Sequence, residues 1–155
     1  MIQTAFEQLV NNFVKIDVFV SNAGYMSNIA LIVTSDAEDW WEGFETNIKG
    51  SFNSIRAFLP HAAANAIVLS VNAGLATNPS NPGLSSYSSS KIASAKLFEH
   101  LQVEHPELRV INIHPGVVGT TMTEKTRMPA NNNRKSRVTN IGYQTYHLQR
   151  SLLGV

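Results

Sequence analysis

The chain of 155 residues contains no cysteine, which excludes disulfides, thiolate metal centres and a cysteine nucleophile. Charged residues make up only 15% of the chain, and no apolar run approaches the 18 or so residues that a membrane span needs. The first residues, MIQTAFEQLVNNFVKIDVFV, lack a basic start followed by an apolar block, so no leader is read there and a cytoplasmic location is expected. The charge is unevenly spread. Residues 1–123 carry 6 basic and 10 acidic side chains, whereas residues 124–155 carry 6 basic and 1 acidic. The basic segment ANNNRKSR at 130–137 lacks the interleaved aromatics of a nucleic-acid surface, so neither nucleic acid nor membrane is expected as a partner. Residues 130–155 are read as a divergent, disordered basic tail.

What is present is a body with 43% hydrophobic residues, enough for the core of one domain. Three Val/Ile-rich runs, IDVFV (16–20), AIVLSV (66–71) and RVINI (109–113), lack clean alternation and suit strands of a parallel sheet covered on both faces. Between them lie helical patterns. Residues 36–60 begin with acidic side chains, space Trp40, Phe44, Ile48, Phe52 and Ile55 at helical intervals, and stop at Pro60. Residues 86–105 repeat the pattern, with Ser85 or Ser86 as candidate N-cap and Pro106 as the stop. Residues 3–14 form a shorter amphipathic candidate. The alternation of helices and strands predicts an α/β fold with a doubly wound parallel sheet. Each strand runs into small, hydrogen-bonding residues: SNAG, NAGLAT and HPGVVGTT. Ligands of open parallel sheets bind at these carboxyl ends.

The stretch SVNAGLATNPSNPGLSSYSSSK (70–91) ends in Tyr87 and Lys91, four positions apart and therefore on one helix face. A free tyrosine is a poor base at neutral pH. A lysine ammonium roughly 4 Å away favours the phenolate by about 4 kcal/mol at an effective dielectric near 20, equivalent to about three pKa units. The phenol then exchanges a proton with a hydroxyl or carbonyl near pH 7.

Taken together, DVFVSNAG, NIKGSF, YSSSK and HPGVVGTTM, in this order and spacing, resemble the short-chain dehydrogenase/reductase family of NAD(P)-dependent oxidoreductases, with details similar to fungal members. The resemblance implies a Rossmann-like, three-layer α/β/α fold, with residues 1–129 as a partial NAD(P)-binding domain. It implies hydride transfer between NAD(P)(H) and a carbonyl or secondary alcohol. It makes Tyr87 the acid/base, and Lys91 the residue that lowers its pKa and binds the nicotinamide ribose. Asn47 would hold a water of the proton relay through its backbone. Asn22, Ala23 and Gly24 would line the adenosine side of the cofactor, and Pro115, Gly116, Val118 and Thr120 would contact its carboxamide and phosphates. Side-chain roles of another kind stand beside these: Asn47 bonding within its helix, Asn22 forming a turn, Thr120 capping the next segment.

Two features depart from the resemblance. The hydroxyl that the family places about 13 residues before the tyrosine is missing, because Gly74 or, with one extra loop residue, Ala73 stands there. Asn72 is the nearest candidate donor and is expected to substitute in part. No G-x-x-x-G-x-G or G-x-G-x-x-G precedes DVFVSNAG, so the first strands and the pyrophosphate turn are expected to be lacking and the edge of IDVFV to be exposed. The helices at 36–60 and 86–105 resemble those through which the family dimerises, which implies a homo-oligomer. The alternative function is an inactive fragment that serves as a dimerisation module.

Overall fold

The computed structural model of the protein describes residues 4–8, 15–74 and 81–126. The expected tail and residues 9–14 lie outside this set. Three strands, β1 (Ile16–Ser21), β2 (Ala62–Val71) and β3 (Arg109–Ile113), form a parallel sheet in the order β1-β2-β3. Each Val/Ile-rich run therefore becomes a strand, and β2 extends four residues further toward the N-terminus than the apolar run. In register, Phe19 pairs with Val68 and Val68 with Val110, which places these three side chains on one face.

The connection from β1 to β2 runs through α1 (Ala37–Phe44), a π-helical turn (Glu45–Lys49), α2 (Gly50–Phe58) and a 3-10 turn (Leu59–His61). Asp36 caps α1 by accepting from the Asp39 backbone at 2.8 Å, as the acidic start predicts. The expected single helix over 36–60 is thus interrupted around Asn47. From β2 to β3 the chain passes through α3 (Ser85–Glu104), and α4 (Thr121–Lys125) follows β3. Ser85 and Ser86 do not cap α3; Leu84 holds the N-cap position without a side-chain bond. Their hydroxyls are engaged by α1 instead: Trp40 Nε1 donates to Ser85 Oγ at 2.9 Å, and Ser86 Oγ donates to the Trp40 carbonyl.

The core gathers Ile55 and Phe58 of α2, Phe98 and Leu101 of α3, Ala66 and Val68 of β2 and Val110 of β3. Phe58, Phe98 and Val68 are fully enclosed, each contributing about 1.5–3 kcal/mol of transfer free energy. Phe6, from the helical residues 4–8, packs edge-on against Phe19 and Phe58. The described helices that build this core therefore lie against one sheet face. On β1 the other face is open, with Val18 and Val20 about half exposed. The Rossmann-like parallel α/β sheet is present as expected, and the second helical layer of a three-layer fold is not among the described residues. The lack of alternation in IDVFV is the sequence trace of a strand suited to cover on both faces, of which one is covered here.

Gly43 marks the crossing of α1 and α3. A Cβ there would lie 2.5 Å from Ser86 Oγ, in a spot where Ser86 is 1% exposed. Gly43→Ala is therefore expected to destabilise the fold by about 1–3 kcal/mol through overpacking, despite alanine's better helix propensity. Ser86→Ala in the same chain should recover most of the loss, as read by urea midpoints of the single and double variants.

Candidate active site

The carboxyl ends of the three strands and the N-terminal half of α3 converge on one cluster. Lys91 is 5% exposed, and its Nζ donates to the Val71 carbonyl at the end of β2 at 2.9 Å. A four-carbon stem reaching from α3 to the strand end fixes the ammonium there. The same nitrogen sits 5.8 Å from the centre of the Tyr87 ring. It is also a neighbour of Gly24, where a Cβ would lie 3.4 Å from Nζ and 3.5 Å from Asn47 Oδ1.

Asn47, 1% exposed, is the node of this arrangement. Its Oδ1 accepts from the Tyr25 backbone N–H at 2.7 Å, while Nδ2 donates to the Tyr25 carbonyl at 2.9 Å and to Ser90 Oγ at 2.8 Å. The carboxamide thus binds the loop after β1 to α3 rather than bonding within its own helix. Its main-chain carbonyl accepts from the Ser51 hydroxyl at 2.8 Å. A π-helical turn inserts one extra residue and re-aims side chains, a feature that recurs at functional sites. Ser90, fully buried beside Lys91, was not singled out by the sequence; its only signal was the serine-rich YSSSK.

Tyr87 and Lys91 share a face as the spacing predicts, yet the electrostatics differ from the expectation. Burial raises the Tyr87 pKa above its ordinary 10. Burial also lowers the Lys91 pKa from 10.5 to about 8. Desolvation disfavours both charged forms, and the ammonium is directed to Val71 O. The pair at rest is a neutral phenol beside an ammonium whose proton is loosely held.

Asn22 and Ala23 are exposed and Gly24 is half-buried, leaving the main chain after β1 open to a ligand. After β3, Pro115 and Gly116 are partly buried and Val118 and Thr120 exposed. Gly116 takes φ +84° with open space around its Cβ direction, a conformation that favours glycine. Thr120 caps α4: its N–H donates to Thr123 Oγ1 at 2.8 Å, and Thr123 N–H returns a longer bond of 3.4 Å to Thr120 Oγ1. Asn72 is 3% exposed, its Oδ1 accepts from Ala73 N–H at 2.8 Å, and its Nδ2 has no hydrogen-bond partner among the described residues.

The loop after β1 is secured at a second point. Tyr25 OH donates to Asp39 Oδ1 and Asn28 N–H donates to Asp39 Oδ2 at 2.8 Å. The tyrosine bond holds the Asp39 carboxyl below its usual range, and the carboxylate raises the Tyr25 phenol. Lys125 Nζ, on α4, lies 5.5 Å from the Tyr25 ring centre and donates to the Met26 carbonyl at 3.3 Å. A cavity of about 460 Å³ opens beside the first turn of α3, between Leu31–Val33 and Pro82–Ser85. Its lining is largely apolar.

The pattern of the family described as short chain dehydrogenase matches residues 1–131. The chain belongs to this family. The short chain dehydrogenase tazN of Aspergillus terreus is 38% identical over 109 residues, covering 67% of this chain and 24% of the relative. The 3-oxoacyl-[acyl-carrier-protein] reductase FabG of Thermotoga maritima is 31% identical over 142 residues, covering 88% of this chain and 56% of the relative. Among solved structures, the KRED1-Pglu enzyme superposes with a TM-score of 0.77 at 30% identity, over 86% of this chain and 56% of that one. The alcohol dehydrogenase of Thermococcus sibiricus, solved with 5-hydroxy-NADP, superposes with a TM-score of 0.70 at 24% identity, over 77% of this chain and 50% of that one. The chain thus spans between about a quarter and just over half the length of these relatives. No helix among the described residues is long and apolar enough to cross a membrane.

Proposed function

We propose that this chain is the proton-transferring half of an NAD(P)-dependent oxidoreductase that interconverts a carbonyl and a secondary alcohol. The observation that carries the reading is the buried Lys91 ammonium, held at the end of β2 beside Gly24 and on the face of α3 that carries Tyr87. A buried charge is costly and is retained where chemistry needs it.

The residues present fit a nicotinamide cofactor at the catalytic end. Gly24 leaves the space that a side chain would fill against Lys91 and Asn47, and the open backbone of Asn22 and Ala23 flanks it. In this proposal Asn22, Ala23 and Gly24 line the adenosine side, Lys91 holds the nicotinamide ribose, and Pro115, Gly116, Val118 and Thr120 hold the carboxamide and phosphates. When bound, the cofactor supplies or accepts the hydride. Tyr87 donates its phenolic proton to the substrate oxygen in the reducing direction and recovers it in the other. Lys91 stabilises the negative charge that develops on the phenol at that moment. Asn47 keeps the Tyr25 loop and Ser90 in place around the lysine, and its carbonyl is the proposed anchor of the relay water. NAD and NADP are both kept open, and the setting proposed is cytoplasmic. Exposed Trp41 and Phe52 on α1 and α2, with Ile92 and Val103 on α3, support pairing of two copies through these helices.

The test is the loss of NADH or NADPH absorbance when the chain is mixed with acetophenone, together with a nicotinamide-fluorescence titration. Saturable binding with ketone-dependent oxidation of the cofactor is expected. Neither binding nor oxidation with either cofactor would overturn the reading.

A further inference from the structure

Ala73 and Gly74 stand where a hydroxyl is expected ahead of Tyr87, which leaves that place open for another donor to the substrate oxygen of the proposed reaction. Asn72 is turned inward: its Oδ1 accepts from the Ala73 N–H at 2.8 Å, and its Nδ2, unpaired among the described residues, is fully enclosed and so not open to a substrate. His114, at the end of β3, is placed differently. A Cβ built on Gly74 would meet His114 Nε2 at 3.2 Å and Cδ2 at 3.3 Å, so the imidazole occupies the space next to the side-chain-free position. Asn72 N–H donates to the Ile113 carbonyl at 2.7 Å, which locks the backbone before His114 to the strand end that also receives Lys91. The other ring nitrogen, Nδ1, is buried without a hydrogen-bond partner among the described residues.

With Nδ1 enclosed, Nε2 is the ring nitrogen beside Gly74, and a neutral imidazole with its proton there has a donor to offer. We infer that His114 Nε2–H is the donor that holds the substrate oxygen in this chain, in place of the absent hydroxyl. This rests on the oxidoreductase reading above. The missing hydroxyl and the histidine are then one exchange: Gly74 leaves room for the ring, and the ring supplies the hydrogen bond.

In the full chain with saturating NADPH and acetophenone, His114→Ala should lower kcat by about 10²-fold, the usual effect of removing one such donor. The dissociation constant for NADPH should be unchanged, because the ring is assigned to the substrate and not to the cofactor. His114→Gln, which keeps an N–H donor, should retain more activity and serves in place of the alanine variant if that one fails to fold. A kcat within twofold of wild type in both variants overturns the inference while leaving the oxidoreductase reading intact. If the wild-type chain oxidises no cofactor, that reading fails separately, and His114 is read by ¹⁵N NMR of the imidazole during titration with acetophenone. The His114 signal is identified by its loss in His114→Gln; a ketone-dependent shift of its Nε2 supports the inference, and a stationary signal overturns it.

Discussion

Tyr87→Phe is expected to lower kcat for ketone reduction by about 10²–10⁴-fold, the range a positioned general acid contributes. The phenylalanine keeps the ring and its contact with Lys91, 5.8 Å from the ring centre, so packing and cofactor affinity should change little. Only the transferable proton is removed. Burial makes this acid better suited to giving than to taking: the raised Tyr87 pKa keeps the phenol neutral across physiological pH. Stopped-flow absorbance with NADPH in excess checks the prediction, with a fluorescence titration to show that the cofactor still binds. A loss below tenfold contradicts the role given to Tyr87.

Lys91 carries the second large effect, and it appears in stability. In the folded chain its pKa is about 8 against an ordinary 10.5, so the unfolded chain binds more protons between these values. Stability therefore rises with pH there, since the penalty for burying the ammonium is fully present below pH 8 and is relieved above it. Integrated from pH 7 to 9.5, the gain is about 2 kcal/mol. The window closes near pH 10, because Tyr25 and Tyr87 have raised pKa values and so favour the unfolded state once tyrosines ionise. Urea midpoints of wild type should climb across this interval, and those of Lys91→Met should lack that component. At pH 7 the methionine variant is expected to be at least as stable as wild type, because removing the buried charge offsets the lost bond to Val71 O, worth about 1.5–3 kcal/mol. It should also be nearly inactive. Parallel pH curves for the two proteins would contradict the assignment.

Much of this was legible from the residues. The strand runs at 16–20, 66–71 and 109–113 and the Tyr87–Lys91 face follow from local pattern alone, because side-chain periodicity and helix spacing do not depend on distant partners. The misreadings came where distant partners decide. Ser85 and Ser86 look like N-caps in sequence, but their hydroxyls are taken by Trp40 across the α1–α3 crossing. The π-helical turn around Asn47 is sustained by bonds to Tyr25 and Ser90, which no window of neighbouring residues contains. Coulomb's law between Tyr87 and Lys91 predicts a lowered phenol, but the closeness of the protein interior acts on both groups and leaves the phenol raised. Nothing within HPGVVGTT marks His114, because its meaning lies in its place beside Gly74, 40 residues away in the chain.

Whether Lys91 works as an ammonium behind a neutral Tyr87 is decided by the pH dependence of kcat/KM for ketone reduction between pH 6 and 9.5. That quantity reports groups of the free enzyme. A fall centred near pH 8, where Lys91 loses its proton, is expected, and it should be absent from the residual activity of Lys91→Met. A rate constant that stays level to pH 9.5, or the same fall in both proteins, would contradict it.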